Sequence, residues 1–200
     1  MRASLIKREV RRYFSIIGVV AAIFAVTVGV ERWMGRSLFG PDGKPGLWEG
    51  DIWSSECSQR FADAYSFSHI GHGLVFYGML WLVARRVPVR FRLLIAVLLE
   101  AGWEILENSP VIINRYREAT MALGYSGDSI LNSLSDVLMM SFGFLLAWRQ
   151  PLWASVGLFI AMEVGCAIWV RDNLTLNVIM LVHPLDAIKA WQMGGQPLGG

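Results

Sequence analysis

Two histidines three residues apart, His69 and His72, stand in an apolar stretch, and the chain holds acids in two further periodic sets: Glu100, Glu104 and Glu107 at i, i+4, i+7, and Asp128, Asn132 and Asp136 at i, i+4, i+8. Spacings of three and four residues bring side chains to one face of an α-helix, so each set reads as a polar stripe. An acid at the centre of a spanning helix costs about 2.5–3.5 kcal/mol on insertion scales, which makes such residues functional suspects. Two imidazoles facing carboxylates from two other helices form a ligand set for zinc or another divalent metal, the cofactor expected here. Carboxylates crowded in low dielectric resist joint ionisation, and one held neutral can act as a general acid.

Glu104, His72, Asp128 and Glu107 are therefore the candidate catalytic groups, and His69, His72, Glu104 and Asp128 the candidate metal ligands. Arg115, Arg117 and Arg171, with Asn132, are candidates for holding a substrate phosphate or carboxylate at the rim. Each has a plainer alternative. Asp128 can be a helix cap, Asn132 with Ser133 and Ser135 can be glue between helices, and Glu104 with His72 can be a structural hydrogen bond. Glu163 reads as a paired polar group on a helix seam, and His183 as an ordinary interfacial residue.

The elements that must carry these stripes are long and apolar. Of 200 residues, 54% are hydrophobic and nine are tryptophan. Runs of the length needed to cross about 30 Å of hydrocarbon lie near 14–34, 67–84, 93–108, 129–147 and 152–170. The expected fold is all-α: a polytopic bundle of about five transmembrane helices forming one integral-membrane domain over 1–193, with a disordered tail at 194–200. The first run follows a basic tail, as a secretory signal does, but Glu31, Arg32 and Trp33 come next where a cleavage site would need small residues.

With the amino terminus in the cytoplasm, the tail, the 85–92 turn and Arg149 put ten basic residues and one acid inside, out of totals of 18 and 16. That asymmetry predicts a cytoplasmic amino terminus in the cell inner membrane. The formal net charge of +2 then reflects topology, and the expected partners are membrane lipid and a lipid-linked substrate, with no nucleic acid. Cys57 and Cys166 fall in a loop and a helix, so no structural disulfide is expected.

Between the spans, turn signals at Gly40-Pro41-Asp42-Gly43 and Pro45-Gly46 make 35–65 an external loop lying over the bundle. Ser66 or Ser68 is expected to cap the helix bearing His69. Residues 111–123 read as an amphipathic helix in the outer interface. The apolar stretch 174–182 is too short to span and lies in the interface or re-enters, and Pro184 starts a small helix with Asp186 and Lys189. Counting inward from the outer boundary predicts matching levels: Glu107, His69 and Asp128 at the rim, then Glu104, His72 and Asn132, then Glu100 and Asp136.

Four stretches carry a resemblance over nearly the whole chain: Ser54-Ser55-Glu56 with Ser68-His69-Ile70-Gly71-His72-Gly73; Glu100 to Pro110; Arg115-Tyr116-Arg117-Glu118-Ala119-Thr120 with Gly127-Asp128-Ser129 and Asn132-Ser133; and Arg171 to Asn177 running to His183-Pro184. In these the chain resembles a family of uncharacterised bacterial multi-pass inner-membrane proteins, catalogued as a domain of unknown function, which brings no known activity. More loosely, histidine in one helix, glutamate in the next and Asp-x-x-x-Asn in a third is similar to the teicoplanin-resistance-associated (VanZ-like) membrane proteins. The His-Glu-x-x-His, Gly-x-Ser-x-Gly and Glu-Glu patterns of better-known intramembrane enzymes do not occur.

The leading expectation is an outward-facing enzyme using acid/base or metal-assisted hydrolysis or transfer on a lipid-linked or envelope substrate. The alternatives are a non-catalytic assembly or interaction protein, in which the cluster fixes helix packing, and a proton- or cation-coupled transporter.

Overall fold

A computed structural model describes residues 2–122 and 124–194, with side chains from 16 onward. Each apolar run becomes a helix, and the order is α1 (Arg2–Trp33), α2 (Ser66–Ala84), α3 (Val89–Glu107), α4 (Pro110–Ala119), α5 (Ile130–Arg149), α6 (Leu152–Val170), α7 (Leu174–Val182) and α8 (Asp186–Met193). Two-residue strands, β1 (Trp48–Glu49) and β2 (Ala62–Asp63), pair in parallel within the long loop. Four helical segments, Ile16–Trp33, Ser66–Ala84, Ile130–Arg149 and Leu152–Val170, are long and apolar enough to cross a membrane. Helix α3 is as long as α2, at 19 residues, but carries Arg90, Arg92, Glu100, Glu104 and Glu107.

The molecule is polar within and apolar without. Ile17, Val26, Leu82, Val83, Leu98, Val164 and Ile168 point outward, while Glu31, Glu100, Glu104, Asn108, Asn132 and Asp136 are buried. A water-soluble domain reverses that distribution, and a lipid-solvated bundle shows it.

At the centre α2 lies against α5 closely enough that their backbones touch. A Cβ on Gly73 would fall under 3.0 Å from the Met140 carbonyl and the Phe144 nitrogen, and one on Gly143 would meet the Ile70 carbonyl in the same way. Small residues at such a crossing let packing and weak contacts act between helices that lipid does not drive together. Ala96, Val97 and Ala101 of α3 close the core against Val137, Met140 and Phe144 of α5. Two arginines lie on rings: Arg92 over Tyr77 at 5.3 Å and Arg149 over Trp148 at 4.4 Å.

The long loop between α1 and α2 covers the start of α5 and satisfies its leading N–H groups, which have no partner inside the helix. Ser129 N donates to the Ser58 carbonyl (3.0 Å), Ile130 N to Ser37 (2.9 Å) and Leu131 N to Leu38 (3.3 Å), while Asn132 N donates to Ser129 Oγ (3.2 Å). Ser129 is thus the cap, which frees Asp128 for other contacts. Neither Ser66 nor Ser68 caps α2. Asp63 does that work, its Oδ1 accepting from Tyr65 N at 2.7 Å and Ser66 N at 3.3 Å. The sequence offered two serines of the right type, but Asp63 reaches both amides because β2 ends beside them.

Helix α1 reaches back through the basic tail to Arg2, twelve residues before its apolar run, and the other boundaries move by about a turn or less. Helix α3 begins at Val89, directly after Pro88, four residues before the apolar run, because the segment 89–92 is helical despite Arg90 and Arg92. Helix α4 stops at Ala119, where Thr120 turns extended. Helix α8 begins at Asp186, two residues past Pro184. Residue 123 and the expected disordered tail, apart from Gly194, lie outside the described residues.

Candidate functional site

Helices α2, α3 and α5 bring His69, His72, Glu100, Glu104 and Asp136 together. The Glu100 carboxylate receives both imidazoles: His69 Nδ1 lies 2.7 Å and His72 Nδ1 2.8 Å from its Oε1, with His72 Nδ1 also 3.1 Å from Oε2. A carboxylate accepts, so both Nδ1 atoms carry the hydrogen and both Nε2 atoms keep lone pairs for a ligand or a proton. His69 Nε2 sits 3.7 Å from Asp136 Oδ2, and His69 Nδ1 is 3.5 Å from Glu104 Oε1. Glu104 is fully buried, and neither of its oxygens has a hydrogen-bond partner among the described residues; the same holds for Asp136 Oδ1. An unpartnered buried carboxylate is costly, and a bound cation or a proton is what removes the cost.

The levels counted from the helix ends are displaced. Both histidines meet Glu100, which was expected a turn deeper, because α3 continues beyond the start of α2 to Glu107 and then turns into α4 through Asn108 and Ser109. Helix ends do not share one height, so depth counted from them carries an error of about one turn, or 5.4 Å. Asn132 leaves the cluster altogether: its Nδ2 donates to the Arg60 carbonyl at 2.9 Å and ties α5 to the loop, although its side chain still borders the cavity.

That cavity, about 100 Å³, opens beside the cluster. His69, His72, Trp103, Glu107, Asp128 and Asp136 form one wall, and Tyr116, Tyr125, Leu174 and Val178 another; Glu100 and Glu104 do not line it. Asp128 is held by Tyr125, whose hydroxyl donates to Oδ1 at 2.9 Å, and by Asn108, whose Nδ2 donates to Oδ2 at 3.2 Å and whose Oδ1 accepts from Asp128 N at 2.7 Å. Burial pushes the Asp128 carboxyl up to about 7, opposed by the Tyr125 hydrogen bond. Asn108 also donates to the Glu104 carbonyl and to Ser133 Oγ, both at 3.1 Å, linking α3 to α5 through one amide.

The three arginines expected at the rim each hold a backbone carbonyl and do not line the cavity. Arg115 Nε donates to Leu181 (2.8 Å), Arg117 Nε to Tyr125 (2.5 Å) and Arg171 to Trp191 (2.9 Å), so each fastens a segment of the cavity's outer rim or of α8. Arg171 itself is in the left-handed conformation, φ 54°, that ends α6. Glu163 caps α7, its two carboxylate oxygens accepting from Leu174 N (3.1 Å) and Thr175 N (3.0 Å). His183 is exposed at the end of α7 and away from the cavity lining.

Several cavity residues went unread in the sequence. Asp172 is buried, accepts from Asn173 N (2.9 Å) and Gln192 Nε2 (3.0 Å), and is pushed up to about 7 by burial. Tyr65 ends the long loop and Tyr125 lies between α4 and α5, where no periodicity marks them, while Tyr116 falls on the apolar side of α4 and reads as an interfacial residue. The one available signal was their chemistry: hydroxyl-bearing aromatics next to acids in otherwise apolar surroundings.

A family model described as "Protein of unknown function (DUF2585)" matches residues 32–194. A UPF0314 protein of Sphingopyxis alaskensis is 52% identical over 88% of the chain and 94% of its own length. One from Paracoccus denitrificans is 52% identical over 80% and 83%, and one from Rhizobium etli is 46% identical over 97% and 100%. No solved structure matches the chain.

Proposed function

The chain belongs to this DUF2585 family of UPF0314 proteins, and on that footing we propose that it is a multi-pass inner-membrane hydrolase that holds a divalent cation between α2, α3 and α5 and acts from the outer face on a lipid-linked substrate. The observation that carries the reading is Glu104, fully buried with both oxygens unpartnered among the described residues, beside His69 and Asp136. His69, Glu104 and Asp136 each bring a ligand atom within 4.8 Å of the others, and Glu100 orients the imidazoles from behind. Two imidazoles steered by a carboxylate are a recurrent second layer of metal sites.

In this reading α3 is a fifth span. Its 19 residues reach about 28 Å at 1.5 Å each. Its arginines lie at the inner end, with Arg85, Arg86 and Arg149, and its acids turn into the bundle. The positive-inside distribution supports a cytoplasmic amino terminus with the cavity at the outer face. The looser likeness to VanZ-like proteins plays no part.

A bound divalent cation lowers the pKa of its water from 15.7 to about 7 and so supplies a nucleophile at neutral pH. In hydrolysis the water oxygen forms the new bond to the reacting centre and the bond to the leaving oxygen breaks. The water's proton would pass through Asp128, on the cavity wall and outside the ligand group of His69, Glu104 and Asp136, to the leaving oxygen. His72 borders the same space, and with its Nδ1 on Glu100 its neutral form would offer Nε2 to the substrate.

A second reading, a non-catalytic assembly protein, draws on the Glu100–His69–His72 set, which is satisfied within itself. Elemental analysis separates the two. Protein purified in detergent, equilibrated with zinc or manganese and freed of loose metal should retain at least one cation per chain, and His69→Ala or Glu104→Gln variants that melt like the parent should lose it. A parent that retains none removes the hydrolase reading.

A further inference from the structure

Glu104 belongs to two ligand groups at once. With His69 and Asp136 it forms one, and with Glu107 and Asp128 it forms another; in each, the ligand atoms lie within 4.8 Å of one another. Its two oxygens are both buried and without a hydrogen-bond partner among the described residues, so a separate oxygen is free for each group. A carboxylate placed this way is suited to join two cations, one on each oxygen.

Resting on the metal reading above, we propose that the site is binuclear: Glu104 bridges two divalent cations, one held with His69 and Asp136, the other with Glu107 and Asp128. Charge supports two ions over one. Glu104, Glu107, Asp128 and Asp136 bring four carboxylates to this space, and among the described residues no lysine or arginine forms an ion pair with any of them. The nearby arginines spend donors on backbone carbonyls instead: Arg115 on Leu181, Arg117 on Tyr125 and Arg36 on Ser126. With all four ionised, two divalent cations balance the charge, whereas one leaves two negative charges that protons must neutralise.

The donors differ between the halves. The His69 half has an imidazole and suits zinc or manganese, while the Glu107 half is all oxygen and suits manganese or magnesium. His69, Asp136, Glu107 and Asp128 all border the cavity, so each ion has a side open to water and substrate, with Glu104 behind them. Paired cations clamp the attacking and leaving oxygens of an in-line displacement at phosphorus. The substrate class that fits is therefore a phosphate ester or pyrophosphate carried on a lipid. There, water's oxygen bonds to phosphorus, the bond from phosphorus to the leaving oxygen breaks, and the proton shed by the water ends on that oxygen.

Manganese titration of the metal-stripped full chain in detergent, read by equilibrium dialysis and electron paramagnetic resonance, tests the bridge. The expected result is two equivalents per chain with an exchange-coupled spectrum. Asp128→Asn and Glu107→Gln, two independent variants of the second half, should each bind one equivalent with an uncoupled six-line signal and at least tenfold weaker uptake of a second. One equivalent in the parent, or two without coupling, overturns the bridge and leaves the single-cation reading standing. No bound manganese or zinc in a parent that melts cooperatively overturns both.

Discussion

Oε1 of Glu100 lies 2.7 Å from Nδ1 of His69, and the same oxygen takes His72 at 2.8 Å, so one carboxylate on α3 sets the tautomer of two imidazoles on α2. Replacing it with an amide keeps the volume but removes the charge and sets an NH2 donor where an oxygen accepts, so both rings are held more weakly. Loss of such a partner typically weakens metal binding by about 10–100-fold. Glu100→Gln should therefore lower zinc or manganese affinity by that factor in a chelator competition while changing the melting temperature little. An unchanged affinity would show that Glu100 orients nothing.

Gly73 and Gly143 allow α2 and α5 to touch, and that contact places His69 against Asp136. Alanine at either position must push the helices apart, since a Cβ would sit under 3.0 Å from the partner's backbone. Overpacking of this kind costs about 1–3 kcal/mol. Gly78, on the same helix with nothing within 4 Å of its Cβ position, is the matched control. Gly73→Ala and Gly143→Ala should lower the unfolding midpoint in detergent, and Gly78→Ala should not; equal effects of all three would mean that helix propensity, and not the crossing, is being measured.

The legibility of this molecule in its sequence divides along physical lines. Apolar runs and three- or four-residue spacings are local properties, so the helices and the stripe residues His69, His72, Glu100, Glu104 and Asp136 could be read directly. Level could not, because it depends on how far each helix runs past its neighbour: Glu100 meets His69 where Glu107 was expected. Asn132 matched the stripe yet faces Arg60, since the loop approaches from outside the helical pattern. Asp63, Tyr65, Tyr125 and Asp172 act through tertiary contacts made by irregular backbone, where spacing holds no information.

Asp172 provides a pH signature. Burial raises its carboxyl to about 7, so the folded chain holds that proton more tightly than the unfolded one, whose carboxyl titrates near 4. The stability Asp172 contributes is full below the unfolded value and is lost as pH rises toward and through 7, by up to about 1.4 kcal/mol for each pH unit. Asp172→Asn, which keeps the neutral form's shape, should flatten the fall in melting temperature between pH 5 and pH 8 and raise the midpoint at pH 8 by about 4 °C or more. A parallel fall in the two proteins would show that Asp172 ionises in the folded state without cost.

Glu163 lies well inside α6, yet its carboxylate serves another helix, accepting the first two N–H groups of α7 from Leu174 and Thr175, while Asn173 Oδ1 accepts from Leu176 N at 2.8 Å. A helix of nine residues is too short to be stable on its own, so α7 depends on these caps and on its packing against α4. Truncation at Glu163→Ala removes two acceptors and strands two amides, a change worth about 1–2 kcal/mol at a helix start. Because α7 forms a wall of the cavity through Leu174, Asn177, Val178 and Leu181, the loosening should be local and should matter to the site. Hydrogen exchange should rise by about tenfold across 174–182, as 1.4 kcal/mol of local opening implies, with α2 and α5 unchanged. Glu163→Gln, which keeps one acceptor, should fall between the two, and uniform exchange across all helices in Glu163→Ala would instead place Glu163 among the residues that hold the whole bundle.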